Sequence, residues 1–441
     1  MVKQNTRRID TDLTVIGSGL AGVAASSFAL GRNIKTAQAG NTGALAYTTG
    51  YFDLLGGLRA CGGVSICDPW EGIRTLRKTE PLHPLARIAE DDIRASFEEF
   101  ITFLDKCGIA YGKPGDRNLD ALTPAGTLKK TLSVPATMQA GVDAFSRKAQ
   151  CTIIDFRGLK GFSSRQIVAN LQNDWPQLRA KRIIFPEIEQ GEIYPEVLAR
   201  ALEVPDIRAK LAEAVKAVVS DAEAIGMPAI FGIHAPDKVM ADLQDRLGIP
   251  IFEIPTIPPS VPGIRLREMF EQIFPQKGLT LIPQQKVLSV DLYGKIIKLD
   301  LKDNYGPIHI NSRTVILATG RFISGGLEAH MEGITEPLLG LPVTQPASRN
   351  LWYEKHYMNK EGHEIHRTGI EVDEKFRPLD REGKVVHHGL FGAGILLAHQ
   401  DWIRAAAGRV LLSPQPTKQF RLPSRSCSRL RPECVTRPGT A

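Results

Sequence analysis

The residues of this chain best placed to do chemistry begin with Gly17, Gly19 and Gly22, inside the stretch TVIGSGLAGVAASSFALGRNIKTAQAG from Thr14 to Gly40. In such a pattern the first glycine makes a tight turn and the second lets a phosphate approach the backbone. The third lets a helix pack on its strand, and the phosphate then sits at the positive end of that helix. Three glycines alone are a weak signal, but here an apolar strand, Leu13 to Ile16, precedes them and a helix of small residues, Leu20 to Leu30, follows. That context predicts a phosphate- or dinucleotide-binding turn. The loop NTGALAYTTGYFDLLGGLRACGG, from Asn41 to Gly63, follows at once, and Thr48, Thr49 and Gly50 in it offer hydroxyls and bare backbone to the same ligand.

The second strand is expected near Ile34 to Ala39, where an Asp or Glu normally binds the adenosine ribose of FAD or NAD. Lys35, Thr36, Ala37, Gln38 and Ala39 stand there, and none is an acid. Either Gln38 substitutes for the carboxylate or the ligand has no adenosine ribose. The second option is FMN, which ends at one phosphate and needs only the turn and the helix terminus. We therefore expect FMN, with FAD as the alternative.

Other candidates lie further along. TVILATG, from Thr314 to Gly320, is a strand ending beside a ligand at Gly320. HRTGIEVDEKFRPLD (His366 to Asp380) and HHGLFGAG (His387 to Gly394) resemble the closing motif of flavin oxidoreductases, which offers Asp373, Gly392 and Gly394 as cofactor neighbours. A phosphorylated or carboxylated substrate needs cationic forks, and Arg265, Arg321, Arg377, Lys129 and Lys130 are candidates. Histidines 356, 363, 366, 387, 388 and 399 cluster in the last third. Some are candidate acid–base groups, because oxidising an alcohol needs a base on its hydroxyl while hydride leaves for the flavin. Arg265, Arg377 and His387 are the candidates we single out for catalysis, with no base assigned. No histidine stands at helical spacing with a Glu, so no metal site is expected.

These residues need a scaffold. From Cys151 to Pro255 strand-like and helix-like segments alternate: CTIIDF, a helix around Gln166 to Leu171, RIIF, a long helix from Pro205 to Ile225, PAIFGI, a helix from Asp237 to Leu247, and IPIFEIP. Glu90 to Cys107 and Leu266 to Phe274 are further helices. Short strands at Leu279–Ile282, Val287–Leu292 and Ile296–Leu301 then suggest a small meander leading into TVILATG. The expected architecture is α/β, a discontinuous Rossmann-like flavin domain of the FAD/NAD(P)-binding type with an inserted α/β region. Its expected parts are 1–80 and 255–408 for the flavin, 81–254 for the insertion, and a separate tail at 409–441.

At this level of detail the chain resembles a known family. TTGYFDLL (Thr48 to Leu55), TPAGTLKKT (Thr123 to Thr131), PTIPPSVPGIRL (Pro255 to Leu266) and ILATGRFISGGLEAHMEGITEPLLGLPV (Ile316 to Val343) are similar, in order, to the B subunits of bacterial anaerobic glycerol-3-phosphate dehydrogenases. That resemblance implies oxidation of sn-glycerol 3-phosphate to dihydroxyacetone phosphate, with electrons passed to a quinone. It also implies FMN as cofactor, and partnership with a second flavoprotein subunit and a membrane-associated iron–sulfur subunit. The resembling family also tends to lack the acid after its second strand.

Composition agrees with an ordinary globular protein, at 43% hydrophobic and 23% charged residues over 441. Six scattered cysteines with no CxxC point to a reducing cytoplasm and to no cluster or structural zinc in this chain. No apolar run approaches the ~20 residues of a membrane span, so any membrane association is expected through partners. The pI of about 9.0 does not imply a nucleic-acid partner, because residues 409–441 hold six Arg and Lys418 against Glu433 and so carry +6 of the formal +7. There AHQDWIRAAAG gives way to a Pro/Arg-rich tail with no helical periodicity, where the resembling family continues into a closing helix. This predicts a shifted reading frame near Gly408. Translating the other two frames beyond that codon checks it: a Gly/Ala-rich helix in one of them is the expected result, and its absence from both refutes the shift.

Overall fold

The structure is a computed structural model that describes residues 6–40, 42–58, 64–188, 191–357, 359, 361–401 and 403. The tail 409–441 lies outside the described residues.

The chain opens with β1 (Arg7–Ile16), α1 (Leu20–Gly31) and β2 (Thr36–Gly40). The last four residues of β1 are all buried, as expected of a central strand covered on both faces. Helix α1 has small apolar residues on all sides because it is covered in turn by α3 (Glu90–Lys106), which follows α2 (Pro69–Thr79). Glu90, Asp91 and Asp92 in the first turn of α3 and Lys106 in its last complement the helix dipole. Its inner face places Phe100 6.3 Å from Phe28 of α1, and Arg32 binds Glu99 through two hydrogen bonds.

A hairpin of β3 (Leu119–Leu122) and β4 (Leu128–Thr131) leads into α4 (Ala136–Arg147). The insertion then runs β5 (Cys151–Phe156), α5 (Ser164–Leu171), β6 (Leu178–Ile183), α6 (Pro195–Ala201), α7 (Pro205–Lys216), β7 (Ala224–Pro228), α8 (Pro236–Leu247) and β8 (Ile251–Ile254). Its strands form a parallel sheet in the order β8–β7–β5–β6.

The remaining elements are α9 (Val261–Gln276), β9 (Thr280–Pro283), β10 (Ser289–Asp291), β11 (Ile297–Asp303), β12 (Gly306–Leu317) and β13 (Leu390–Gly392). They complete a seven-stranded sheet in the order β9–β2–β1–β12–β11–β10, with β13 on the C-terminal end of β12. Strands β9, β2, β1, β12 and β13 run parallel, so their C-terminal ends share one edge. The α/β architecture with a divided first sheet is the one the sequence predicts.

Several elements differ in extent from expectation. The helix expected from Pro205 to Ile225 stops at Lys216, and Ile225 lies in β7. The strand expected at PAIFGI lies earlier, over Ala224–Pro228, and RIIF gives way to Leu178–Ile183. Strand β9 is not part of a meander with β10 and β11 but pairs with β2 at the opposite edge. Residues 81–111, expected within the insertion, pack on the first sheet: Phe97, Phe100, Leu104 and Tyr111 share one core with Phe28, Phe52 and Phe270.

The insertion has its own centre at Phe252. A side chain on Gly141 of α4 would come within 2.5 Å of the Phe252 ring, and one on Gly226 of β7 within 2.8 Å. Two bare backbones thus grip one ring between helix and strand. Phe252→Ala is expected to cost about 3–5 kcal/mol, read as a lower midpoint in chemical denaturation of the purified chain.

Candidate flavin site

The glycine turn stands at the C-terminal end of β1. Gly17 has φ +128°, a backbone only glycine adopts readily, and its amide donates to Ala39 O at 2.7 Å. A side chain on Gly17 would reach within 2.1 Å of Ala318 O, and one on Gly22 within 2.0 Å of Gly17 O. The turn is therefore pressed against both the end of β12 and the first turn of α1. Gly19 is the N-cap of α1; no side chain caps that end and its first turn holds no acid. Its leading N–H groups and the helix dipole present positive potential to the turn, the condition for holding a phosphate.

Gln38 is 1% exposed, and its Nε2 donates to Gly17 O at 2.9 Å. The residue in the ribose position thus braces the turn. Beside it, Ser18, Gln38, Gly40, Leu45, Phe270 and Leu281 help to line a small, largely apolar cleft. This cleft lies along the ends of β2 and β9.

The loop after β2 is held from the far side. Ser260 Oγ donates to Thr48 O at 2.5 Å and Ser260 N to Ala46 O at 3.1 Å, while Gly50 N donates to Thr48 Oγ1 at 3.2 Å. Gly50 has φ +84° and faces Pro262 at the start of α9. The TTGYFDLL and PPSVPGIRL segments therefore meet. Asp53 follows on the same loop, buried, with Lys129 Nζ 2.6 Å from its Oδ2 and no partner for Oδ1. Lys130 pairs with Asp120 at 2.8 Å. Both lysines proposed as substrate forks are thus committed to acids within the chain.

The third wall comes from the C-terminal ends of β12 and β13. Gly320 follows β12 with φ +72° and packs on Ser324. After Gly392 the chain turns at Gly394, φ +71°, where an added side chain would come within 2.7 Å of Ala21 Cβ. That loop therefore lies on the start of α1. Arg321 ties the wall together: 4% exposed, it donates to the carbonyls of Ile395, His366, Leu397 and Gln400. Burial, opposed by the nearby Asp401 carboxylate, pushes its guanidinium down to about 10. Around it Thr319 Oγ1, Thr368 Oγ1 and Gln400 Oε1 are buried without hydrogen-bond partners. Native interiors satisfy nearly all such atoms. A glycine cradle under a helix terminus, with orphaned polar atoms beside it, fits a flavin phosphate and its polar ring system.

The sequence candidates thus divide. Gly17, Gly19, Gly22, Gly320, Gly392 and Gly394 gather at one sheet edge, and Leu45, just ahead of Thr48, Thr49 and Gly50, lines the cleft beside Ser18. Asp373 accepts from the amides of Lys375 and Arg377 and from the Arg377 guanidinium. Burial opposes its charge, but these bonds hold its carboxyl below the usual range. Arg377 is shared between Asp373 and His388 Nδ1 at 2.9 Å. His387 precedes β13, at the end remote from the turn, and its Nε2 lies 3.0 Å from Gly294 O. Arg265 is buried and meets Glu253 of β8 through two bonds of 2.7 Å, with Nε donating to Gly232 O. It binds the insertion to α9, and its charge is spent there.

His399 is one of the six histidines of the last third, and the sequence gives no sign of its partner, Glu371, because 28 positions separate them. No helical or strand spacing signals that pair. Among the described residues no group of three or more His, Cys, Asp or Glu could hold a metal ion, and no helix is long and apolar enough to cross a membrane.

A model of the FAD binding domain matches residues 12–411. The chain belongs to this FAD-binding family. Curated relatives extend the match: the chain is 27% identical to the B subunit of the anaerobic glycerol-3-phosphate dehydrogenase of Aliivibrio fischeri, over 90% of this chain and 91% of that one. It is 27% identical to the protein of the same name from Pectobacterium atrosepticum, over 90% and 94%. A probable B subunit of the same dehydrogenase from Halobacterium salinarum is 26% identical over 91% and 94%. The resemblance drawn from PPSVPGIRL and its companions is thereby confirmed. Among solved structures, a 3-ketosteroid dehydrogenase from Rhodococcus jostii aligns with 71% of this chain and 46% of its own, at 14% identity and TM-score 0.31. Family membership establishes a flavoprotein.

The Arg265–Glu253 pair yields a prediction. Glu253 also accepts from Thr137 Oγ1 and Phe231 N, so removing the arginine strands a buried anion. Arg265→Met is expected to destabilise by about 3–5 kcal/mol, and adding Glu253→Gln to recover part of that loss. Urea denaturation of both variants measures the difference.

Proposed function

We propose that the chain is the flavin-holding member, the B subunit, of an anaerobic glycerol-3-phosphate dehydrogenase. In this reading it oxidises sn-glycerol 3-phosphate to dihydroxyacetone phosphate and passes electrons through a second flavoprotein subunit and an iron–sulfur subunit to a quinone. It works at the cytoplasmic face of the membrane, held there by those partners. The observation that carries the reading is a match to relatives of that name along 90% of the chain, with an anion cradle where a flavin phosphate belongs. A bound flavin supplies the hydride acceptor; Gly17, Gly19 and Gly22 would hold its phosphate, and the Thr48–Gly50 loop and the Gly392–Gly394 turn would flank it.

On the cofactor, the missing carboxylate argued for FMN. The match to the FAD binding domain over residues 12–411 argues for FAD, and the cleft beside Gln38 presents the apolar side chains of Val23, Leu45, Phe270 and Leu281 on that side of the turn. We take FAD as the reading. Gln38, committed to Gly17, leaves the ribose without an acidic clamp, so the flavin is expected to be held more loosely than in enzymes that keep the acid.

Acid release of the flavin from purified protein, followed by chromatography, is expected to give FAD. FMN would reverse the cofactor reading alone. Co-expressed with its partner subunits, the chain is expected to support dye reduction dependent on sn-glycerol 3-phosphate; no such reduction with flavin in place would overturn the functional reading.

A further inference from the structure

Oxidation of a secondary alcohol to a ketone removes two hydrogens. The carbinol hydrogen leaves with both electrons, for which a flavin held at the Gly17, Gly19 and Gly22 turn would supply the acceptor; the hydroxyl hydrogen leaves as a proton and needs an acceptor of its own. The basic side chains singled out from the sequence are not suited to accept it. Lys129, Arg265, Arg321 and Arg377 are cations tied to acids or carbonyls, and His387 lies at the wrong end of β13.

One imidazole meets the requirements. His399 lies five residues beyond Gly394, on the loop that passes over the start of α1. Its Nε2 is 2.5 Å from Glu371 Oε1, and Thr344 Oγ1 donates to the same oxygen at 2.7 Å. A carboxylate accepts, so Nε2 donates to it, and in the neutral imidazole Nδ1 then carries the lone pair of a base. The His399 bond, supported by Thr344 and opposed by burial, holds the Glu371 carboxyl below its usual range. The carboxylate is therefore ready to balance a positive imidazolium.

The backbone points the same way. His399 has φ +65°, a conformation that costs a residue with a side chain. It is held there by its amide bond to Arg367 O at 2.9 Å and by Ala398 N to Ile370 O at 3.0 Å. The pair is also reachable: the side chains of His399 and Glu371 are 17% and 34% exposed. His83, the neighbouring imidazole, is not, since burial, Arg367 and His399 together push it down to about 3. The other charges nearby are Arg87, Arg367 with its partner Glu80, and the His366–Asp401 pair.

We propose that His399 is the proton acceptor of this site, taking the hydroxyl proton of a phosphorylated secondary alcohol on Nδ1, and that Glu371 is the positioning residue that fixes its tautomer. The proton then passes to solvent. The proposal rests on the alcohol-oxidation reading.

The test uses the full chain with its flavin and partner subunits. His399→Gly suits the left-handed backbone and leaves a gap of imidazole size; His399→Gln is the second variant. Both are expected to keep wild-type flavin content and to lower the rate of flavin bleaching by sn-glycerol 3-phosphate about 100-fold or more. Added imidazole is expected to restore much of the rate in His399→Gly only. Glu371→Gln is expected to lower kcat with KM little changed. A readout independent of turnover is carbethoxylation of His399 by diethyl pyrocarbonate, mapped by peptide mass, with dihydroxyacetone phosphate expected to protect it. Wild-type bleaching retained in both His399 variants overturns the proposal, as does unprotected His399. Failure of the wild-type enzyme to bleach overturns the alcohol-oxidation reading instead, and protection then decides whether His399 lies at the ligand.

Discussion

Everything in this molecule hangs on the pairing of β1 with β12. Nine register pairs, from Arg7 with Ile308 to Ile16 with Leu317, join residues about 300 positions apart. That ladder puts Ala318 so close to Gly17 that no side chain fits between them. It also carries β13, and with it the Gly392–Gly394 turn, to the same edge. The insertion between the two strands is free to vary in size because neither its sheet nor its core interrupts this register.

Against this, the sequence was informative where a local pattern had one physical meaning. Gly17, Gly19 and Gly22 declared the turn, CTIIDF and IPIFEIP declared buried parallel strands, and the return of TVILATG to the first sheet was legible from its place in the chain. Legibility failed where partners were distant. Phe100 of α3 reads as the core face of any amphipathic helix, and nothing near it says that Phe28 is waiting. Arg265 reads as a substrate fork until Glu253 is placed opposite it. Pro228 to Ile233 reads as a strand, yet the ladder uses Ala224–Pro228, where Gly226 leaves room for the Phe252 ring.

The same distinction governs the site. The phosphate cradle is built from backbone, so glycine positions announce it. The polar wall is built from side chains that reach across the fold: Arg321 across more than 70 residues to Gln400, and Glu371 across 28 to His399. Gln38 is the instructive case. Its identity suggests a weak substitute for an acid, but geometry gives it a structural task, since its amide donates to the Gly17 carbonyl of the tight turn.

The Arg321 clasp carries a consequence for how the protein is made. The insertion's sheet spans residues 151–254 as one contiguous run, so it is able to fold while the ribosome is still translating. The nucleotide edge is assembled in reverse order of urgency: its glycine turn emerges first, but its opposing strand appears only after residue 306, and the carbonyls that Arg321 gathers appear only near residue 400. The nascent chain therefore carries an incomplete flavin receptacle for most of its synthesis, and cofactor loading becomes one of the last events of biogenesis.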